Sequence, residues 1–314
     1  MTPSADPHLE QNRRRMTALL KELIREEGMR PSCLDGVKLS RSDHSRPRMP
    51  VLYEPSIYIV ASGRKRGFVG DRKFVYDANN YLVLSVPLPF ECETHAGDGE
   101  PMLGLSIRPD MAVISEIACK MELRRVPESD DVRGSVCAIP VDIQLSDAAV
   151  RLLECLRSPV DAEILGPGIV REIVYRVLCG PQGHALLAML NRNGQLAQIY
   201  AALQQIHRKY AEPLNVPEMA VEMGMSVSAF HHNFKAVTST SPLQYLKAVR
   251  LHKARMLMRF EGVGAAIAAE RVGYESPSQF SREFKRYFGH NATDERMQIT
   301  GGADGPEQAT RMAY

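Results

Sequence analysis

One pattern occurs twice in the second half of this chain, and it restricts the possible folds more than any other feature. Phe230-x-x-x-Phe234-Lys235 returns fifty residues later as Phe280-x-x-x-Phe284-Lys285, and each copy is preceded by Ala-x-x-x-Gly, Ala220 with Gly224 and Ala269 with Gly273. A helix-turn-helix needs these residue types. A small residue lets the first helix lie close to the second, and a glycine takes the positive φ of the tight turn. Two apolar residues four apart then pin the second helix to the core.

Cap signals frame the repeat. Ser226 is placed to start the first of these second helices, and Ser276-Pro277-x-Gln279 reads as a capping box with proline at the first helical position. Ser241-Pro242-x-Gln244 repeats the signature and opens a long helix to near Arg259. Such a rod is about 27 Å long and could hold two recognition helices near one duplex turn apart.

With the phenylalanines inward, Ser228, His231, His232 and Lys235 face outward on the first helix. On the second, Ser278, Gln279, Arg282 and Arg286 do so. Gln and Arg can make paired hydrogen bonds to adenine and guanine edges. Lys235, Lys285 and Arg286 suit phosphates, which position a protein without specifying sequence. With the caps Ser226 and Ser276, these residues form the expected DNA-binding set. Charge agrees: residues 195–290 carry 12 Lys/Arg against 7 Asp/Glu, whereas residues 1–194 carry 25 against 26. A basic segment beside a neutral one is the footprint of a nucleic-acid module attached to something else.

The first half reads differently. A length of 314 residues leaves room for about two domains. An amphipathic helix is expected from Asn12 to Glu27, then mostly loop from Arg30 to Pro50 with one short strand. Short β-prone runs follow at 56–60, 67–69, 73–76, 81–86 and 102–107, the pattern of an antiparallel sandwich or barrel. Helical periodicity returns at 111–117, 149–156, 169–178 and 185–190, and Asn191–Gly194 reads as a short linker.

These stretches resemble the AraC/XylS family of transcription regulators. The resemblance lies in LNVPEMAVEMGMSVSAFHHNFKAVT (214–238), SPLQYLKAVRLHKARMLM (241–258) and RVGYESPSQFSREFKRYFG (271–289), and upstream in residues 52–93 and 171–190. It implies an α+β chain. A cupin-like antiparallel β-barrel with helices, presumed to sense a small molecule and to dimerise, would span 1–192. A DNA-binding domain with two helix-turn-helix motifs on a linker helix would span 195–298. The Gly-rich polar stretch 299–314 itself reads as a disordered tail. The chain departs from the family at Ser239, where a glycine is usual, and at Asn291-Ala292, where Ser-Pro is usual. The first change is expected to strain a turn, and the second to weaken a last helix near Asp294–Ile299.

Enzymatic chemistry finds little support. Between Tyr53 and Arg108 there is one histidine, His95, near Cys92 and Glu93, too few ligands for a metal-dependent barrel enzyme. No catalysis, metal or cofactor is expected. Six scattered cysteines without a CxxC pair suit reduced thiols, and the charged stretch after Arg13-Arg14-Arg15 argues against export, so a cytoplasmic location is expected. Cys92 or another exposed thiol could sense electrophiles, while Cys119, Cys155 and Cys179 read as packing residues. GRKRG (63–67) reads as a solvated hairpin with anion or DNA contact as the alternative. Tyr58, Phe68, Phe74, Tyr76, Tyr81 and Phe90 would wall the barrel; the ligand-binding residues are left open.

The expectation is therefore a sequence-specific DNA-binding transcription regulator under a small-molecule effector. Its partners would be double-stranded promoter DNA, RNA polymerase and a second copy, with helices 110–123, 146–157 and 168–190 as dimerisation candidates, and no membrane. The alternatives are a metabolic cupin enzyme with a regulatory helical appendage, or a thiol-based electrophile or oxidant sensor.

Overall fold

A computed structural model describes residues 6–97, 99–121, 136–181, 183–187, 190 and 195–295. The expected linker at 191–194 and tail at 299–314 lie outside the described residues, as does most of the expected last helix. The chain divides into two compact units close to Tyr200.

The N-terminal unit opens with α1 (Pro7–Leu23), followed by strands β1 (Gly28–Pro31), β2 (Val37–Ser42), β3 (Arg46–Tyr53), β4 (Ser56–Ser62), β5 (Arg64–Val69), β6 (Arg72–Asp77), β7 (Asn80–Leu84), β8 (Leu88–His95) and β9 (Met102–Ile107). Then come α2 (Met111–Lys120), β10 (Val136–Pro140), α3 (Ile143–Cys155), α4 (Pro159–Ile164), α5 (Gly166–Cys179) and α6 (Gly183–Leu187). The strands form a six-stranded sheet in the order β1-β2-β9-β4-β7-β10 and a four-stranded sheet in the order β3-β8-β5-β6.

Several strands were not legible as such. The stretch expected to be mostly loop holds the end of β1, β2 and most of β3, and neither β8 nor β10 was anticipated. Pro31, Pro47, Pro50 and Pro140 disguise three of them. Yet β1, β3 and β10 are all terminal strands of their sheets, where a residue lacking an N–H is tolerated. Helix α1 starts earlier than expected, because the Asp6 side chain accepts from the His8 N–H and Pro7 occupies the first turn.

Period-two alternation gives the six-stranded sheet two apolar faces. Ile57, Ile59 and Ala61 of β4 join Leu103, Leu105 and Ile107 of β9 in a core with Leu19 and Leu20 of α1, Leu152 and Leu153 of α3, and Ile173 and Val177 of α5. The apolar stripes of α3 and α5 are thus spent on their own sheet. On the other face Tyr58 meets the four-stranded sheet, its ring 5.7 Å from that of Tyr76. Phe74 and Phe90 lie 5.7 Å apart in the same interior. A side chain at Gly67 would place its Cβ 2.1 Å from the Phe74 ring, so glycine there makes room for the aromatic.

The C-terminal unit is helical. It runs from within α7 (Gln195–Arg208) through α8 (Val216–Glu222), α9 (Val227–Thr238), α10 (Pro242–Phe260), α11 (Ala265–Arg271) and α12 (Pro277–Phe288). Ser241 caps α10 and accepts from the Gln244 N–H. The helix has 19 residues. After α12, Ala292 is buried and Glu295 is fully buried. The Glu295 carboxylate accepts from Arg255 Nε at 2.8 Å and Arg259 Nε at 2.5 Å, with His290 Nε2 also at 2.5 Å. The chain around the Asn291-Ala292 departure is thereby held against α10.

Candidate nucleic-acid interface

The two repeats close their turns identically. Gly224 N–H donates to Val221 O and Met225 N–H to Ala220 O; Gly273 N–H donates to Glu270 O and Tyr274 N–H to Ala269 O. This is the paired bonding of a left-handed helix C-cap. Both glycines have positive φ, 66° and 85°, and Ala220 and Ala269 are fully buried. Ser226 Oγ accepts from the Ala229 N–H, and Ser276 Oγ accepts from the Gln279 N–H. Phe230 and Phe234 have ring centroids 5.6 Å apart, and Phe280 and Phe284 5.5 Å, all four fully buried.

Packing of the phenylalanines fixes which residues remain outside. On α9, Ser228, His231, His232 and Lys235 are exposed, beside the exposed cap Ser226. On α12, Ser278, Gln279, Arg282, Lys285 and Arg286 are exposed, and the cap Ser276 is half-buried. Each set lies on the side of its helix opposite the phenylalanines. Arg282 Nε donates to Ser278 O at 3.3 Å. Ser239, after α9, is the one non-glycine with positive φ among the described residues, at 60°.

A buttress behind α12 went unseen in the sequence. Glu283 is 11% exposed at its side chain. Its Oε1 accepts from Lys247 Nζ of α10 at 2.8 Å and from Gln279 Nε2 at 3.2 Å, and its Oε2 accepts from the Tyr274 hydroxyl at 2.8 Å. Burial alone would raise its pKa; the hydrogen bonds from Lys247, Gln279 and Tyr274 override this and hold it below the usual carboxylate value. Only the i, i+4 spacing of Gln279 and Glu283 hinted at it.

The N-terminal unit corrects several expectations. Cys92 and Thr94 point into the sandwich while Glu93 and His95 share the opposite face, His95 Nε2 lying 3.4 Å from Glu93 Oε2, so Cys92 does not join the other two. Among the described residues no group of three or more His, Cys, Asp or Glu could hold a metal ion. Cys92 is 3% exposed, with its sulfur 3.5 Å from the Tyr76 hydroxyl, so it is not an accessible thiol. Cys119 and Cys179 are exposed rather than packed, and Cys155 is buried. Their apolar neighbours in sequence cover the other side of the helix.

The GRKRG stretch is not a solvated turn, since Arg64–Val69 is β5. Lys65 points inward, its ammonium 2.9 Å from the Tyr53 hydroxyl and over the rings of Tyr53 and Tyr58 at 5.5 and 5.2 Å. No carboxylate among the described residues pairs with it. Burial opposes its charge, and the surrounding Tyr53, Tyr58 and Cys92 groups more than offset that, so its pKa lies above the ordinary lysine value.

Two matched helix-turn-helix units on a shared long helix, with a separate N-terminal unit of two antiparallel sheets and helices, define a class of DNA-binding-type proteins. Residues 33–185 match the family described as the AraC-type transcriptional regulator N-terminus, and residues 219–298 match a helix-turn-helix domain. The chain belongs to the AraC-type transcriptional regulators. It is 29% identical over 150 residues to the transcriptional activator RhaS of Klebsiella pneumoniae, covering 47% of this chain and 52% of that one. It is 34% identical over 97 residues to the transcriptional regulator AlkR of Acinetobacter baylyi, covering 31% of this chain and 32% of that one. The chain thus spans about half or less of the length of the curated relatives it matches. Fatty-acid-bound ToxT from Vibrio cholerae shares the fold, with a TM-score of 0.58 at 11% identity over 86% of this chain and 97% of that one.

Proposed function

We propose that this protein is a sequence-specific DNA-binding regulator of transcription rather than an enzyme. It would bind promoter DNA through Ser226, Ser228, His231, His232 and Lys235 on one helix and Ser276, Ser278, Gln279, Arg282, Lys285 and Arg286 on the other. The observation that carries this reading is the duplicated turn: the same cap and the same phenylalanine pair leave a polar face outward on both helices. The reading head is proposed to begin with α7, at residue 195, a few residues before the point near Tyr200 where the compact units divide. Selection of bound sequences from random duplex DNA with the full-length protein tests the reading. Two sequence blocks about one helical turn apart are expected; a folded protein that recovers no motif overturns it.

The N-terminal unit is proposed to take a small acidic effector. A half-buried, inward-pointing ammonium without a carboxylate partner favours a ligand that supplies one, and Lys65 is such a group. ToxT binds an unsaturated fatty acid and a butenoic acid derivative. Calorimetric titration with carboxylic acids of increasing chain length, on wild type and Lys65→Met, tests this. Heat lost in the variant supports the site. Silence in both favours a scaffold blind to ligands, a reading supported by the mutual packing of Tyr53, Tyr58, Phe74, Tyr76 and Phe90.

Pairing of two copies and contact with RNA polymerase complete the proposal, with action in the cytoplasm. Among the described residues no helix is long and apolar enough to cross a membrane. Exposed Val160, Ile164 and Leu165, at and just after α4, support a paired surface in the N-terminal unit. Sedimentation would show a dimer that Ile164→Asp weakens.

A further inference from the structure

The repeat contains its own control for what the α12 buttress does. In the second motif the sequence of roles is Tyr274 at the turn, Gln279 on the outer face, and Glu283 one turn further along. The matching positions of the first motif are Met225, Ala229 and Asn233. There Asn233 Nδ2 contacts Met225 Sδ at 3.7 Å, and the turn closes with the same backbone bonds. A carboxylate is therefore not something the motif needs in order to fold. It occurs where the outer face carries a carboxamide, and it is absent where that position is alanine.

A carboxylate only accepts hydrogen bonds, whereas a carboxamide has one accepting and one donating end. Glu283 Oε1 holds the Gln279 Nε2. Turning the amide over would set its oxygen against a carboxylate oxygen. The anchored orientation leaves Gln279 Oε1 and its second N–H for a partner. One acceptor beside one donor is the complement of the adenine edge, which offers the N6 donor and the N7 acceptor. Guanine, with two acceptors there, mismatches the fixed oxygen. Lys247 and Tyr274 hold the carboxylate itself, one on each oxygen.

We infer that Glu283 is a positioning residue that sets the base preference of α12, fixing the Gln279 carboxamide to read adenine. This rests on the proposal that α12 reads DNA.

The test is selection from random duplex DNA by full-length wild type, Gln279→Ala, Glu283→Gln and Tyr274→Phe, with thermal unfolding of each. Wild type is expected to prefer adenine at one position that Gln279→Ala erases. Glu283→Gln, whose amide can donate to Gln279 Oε1 and so permit the flipped state, should reduce that preference about tenfold at that position only. Tyr274→Phe leaves Glu283 Oε1 in place and should keep the preference within about twofold.

Retained adenine preference in Glu283→Gln overturns the inference. So does uniform weakening at all positions, an equal loss in Tyr274→Phe, or a Gln279→Ala protein whose motif is unchanged. In those cases wild type still selects a motif and the DNA-binding reading stands. A wild type that selects no motif overturns that reading, and this inference with it.

Discussion

The imidazole Nε2 of His207 lies 2.8 Å from the hydroxyl of Tyr245, joining α7 to α10 inside the helical unit. Burial, aided by the Lys253 charge, pushes the His207 pKa down to about 4. Burial with the nearby Arg255 charge takes His252 down to about 3. Both folded values lie below the ordinary 6.5. The unfolded chain therefore binds protons that the folded chain refuses. The two histidines leave stability unaffected above pH 6.5 and lower it as pH drops from there, toward 4 for His207 and 3 for His252. The slope is about 1.4 kcal/mol per pH unit for each histidine. Urea unfolding between neutral pH and about pH 5 should show this, with a shallower slope in His207→Gln. An identical slope in the variant would remove His207 as a cause.

Arg282 and Lys235 should fail in different ways. Arg282→Ala is expected to lose about 1–3 kcal/mol of discrimination at particular base pairs. Lys235→Ala should flatten the salt dependence of binding and leave sequence preference in place. Binding isotherms over a salt series on matched and mismatched duplexes separate the two. A uniform loss in Arg282→Ala would move that residue to the phosphates.

Ser239 takes a left-handed conformation with φ 60° while its N–H donates to Lys235 O. An L-residue there carries about 1–2 kcal/mol of strain, and glycine recovers most of it less its own chain entropy. Ser239→Gly should stabilise the protein by about 0.5–1 kcal/mol, and Ser239→Val should destabilise it. A lower denaturation midpoint for the glycine variant would contradict the strain.

Gly273 and Gly289 share φ near 85°, at 85° and 84°, but not their surroundings. A Cβ on Gly273 would lie 2.1 Å from Ala211 O, whereas one on Gly289 would meet nothing within 4 Å. Gly289→Ala should cost about 1 kcal/mol, the conformational part alone. Gly273→Ala must also move backbone and should cost more than about 2 kcal/mol. Equal losses would show that the α11 turn can shift freely.

The second half of the fold was readable because each requirement is local. A cap, an alanine four residues before a glycine, and two phenylalanines four apart are all visible within a few residues. Helix faces followed from them. The N-terminal half depends on pairings distant in sequence, so β3 and β10 were hidden by prolines whose missing N–H groups only sheet order excuses. Alternation along β8 decides that Cys92 is buried and that His95 lies on the other face, and Pro89 helped to hide that strand altogether. Lys65 looked like one cation among several in GRKRG until β5 gave it a face. Glu283 is equally instructive: its partners Lys247 and Tyr274 come from a different helix and a turn, and no spacing rule links them.

Strand β4 is a wall shared by two rooms. Ile57, Ile59 and Ala61 face the helices, and Tyr58, between them, faces the aromatic interior, with its hydroxyl close to Ser40. The Thr17 hydroxyl of α1 donates to Ala61 O at 3.2 Å, tying that helix to the same strand. Alternate side chains of one strand cannot be displaced independently, because a tilt that lowers one raises the next. Whatever pushes on Tyr58 from inside is therefore felt by α1 on the far side, without any hinge or loop to carry the message.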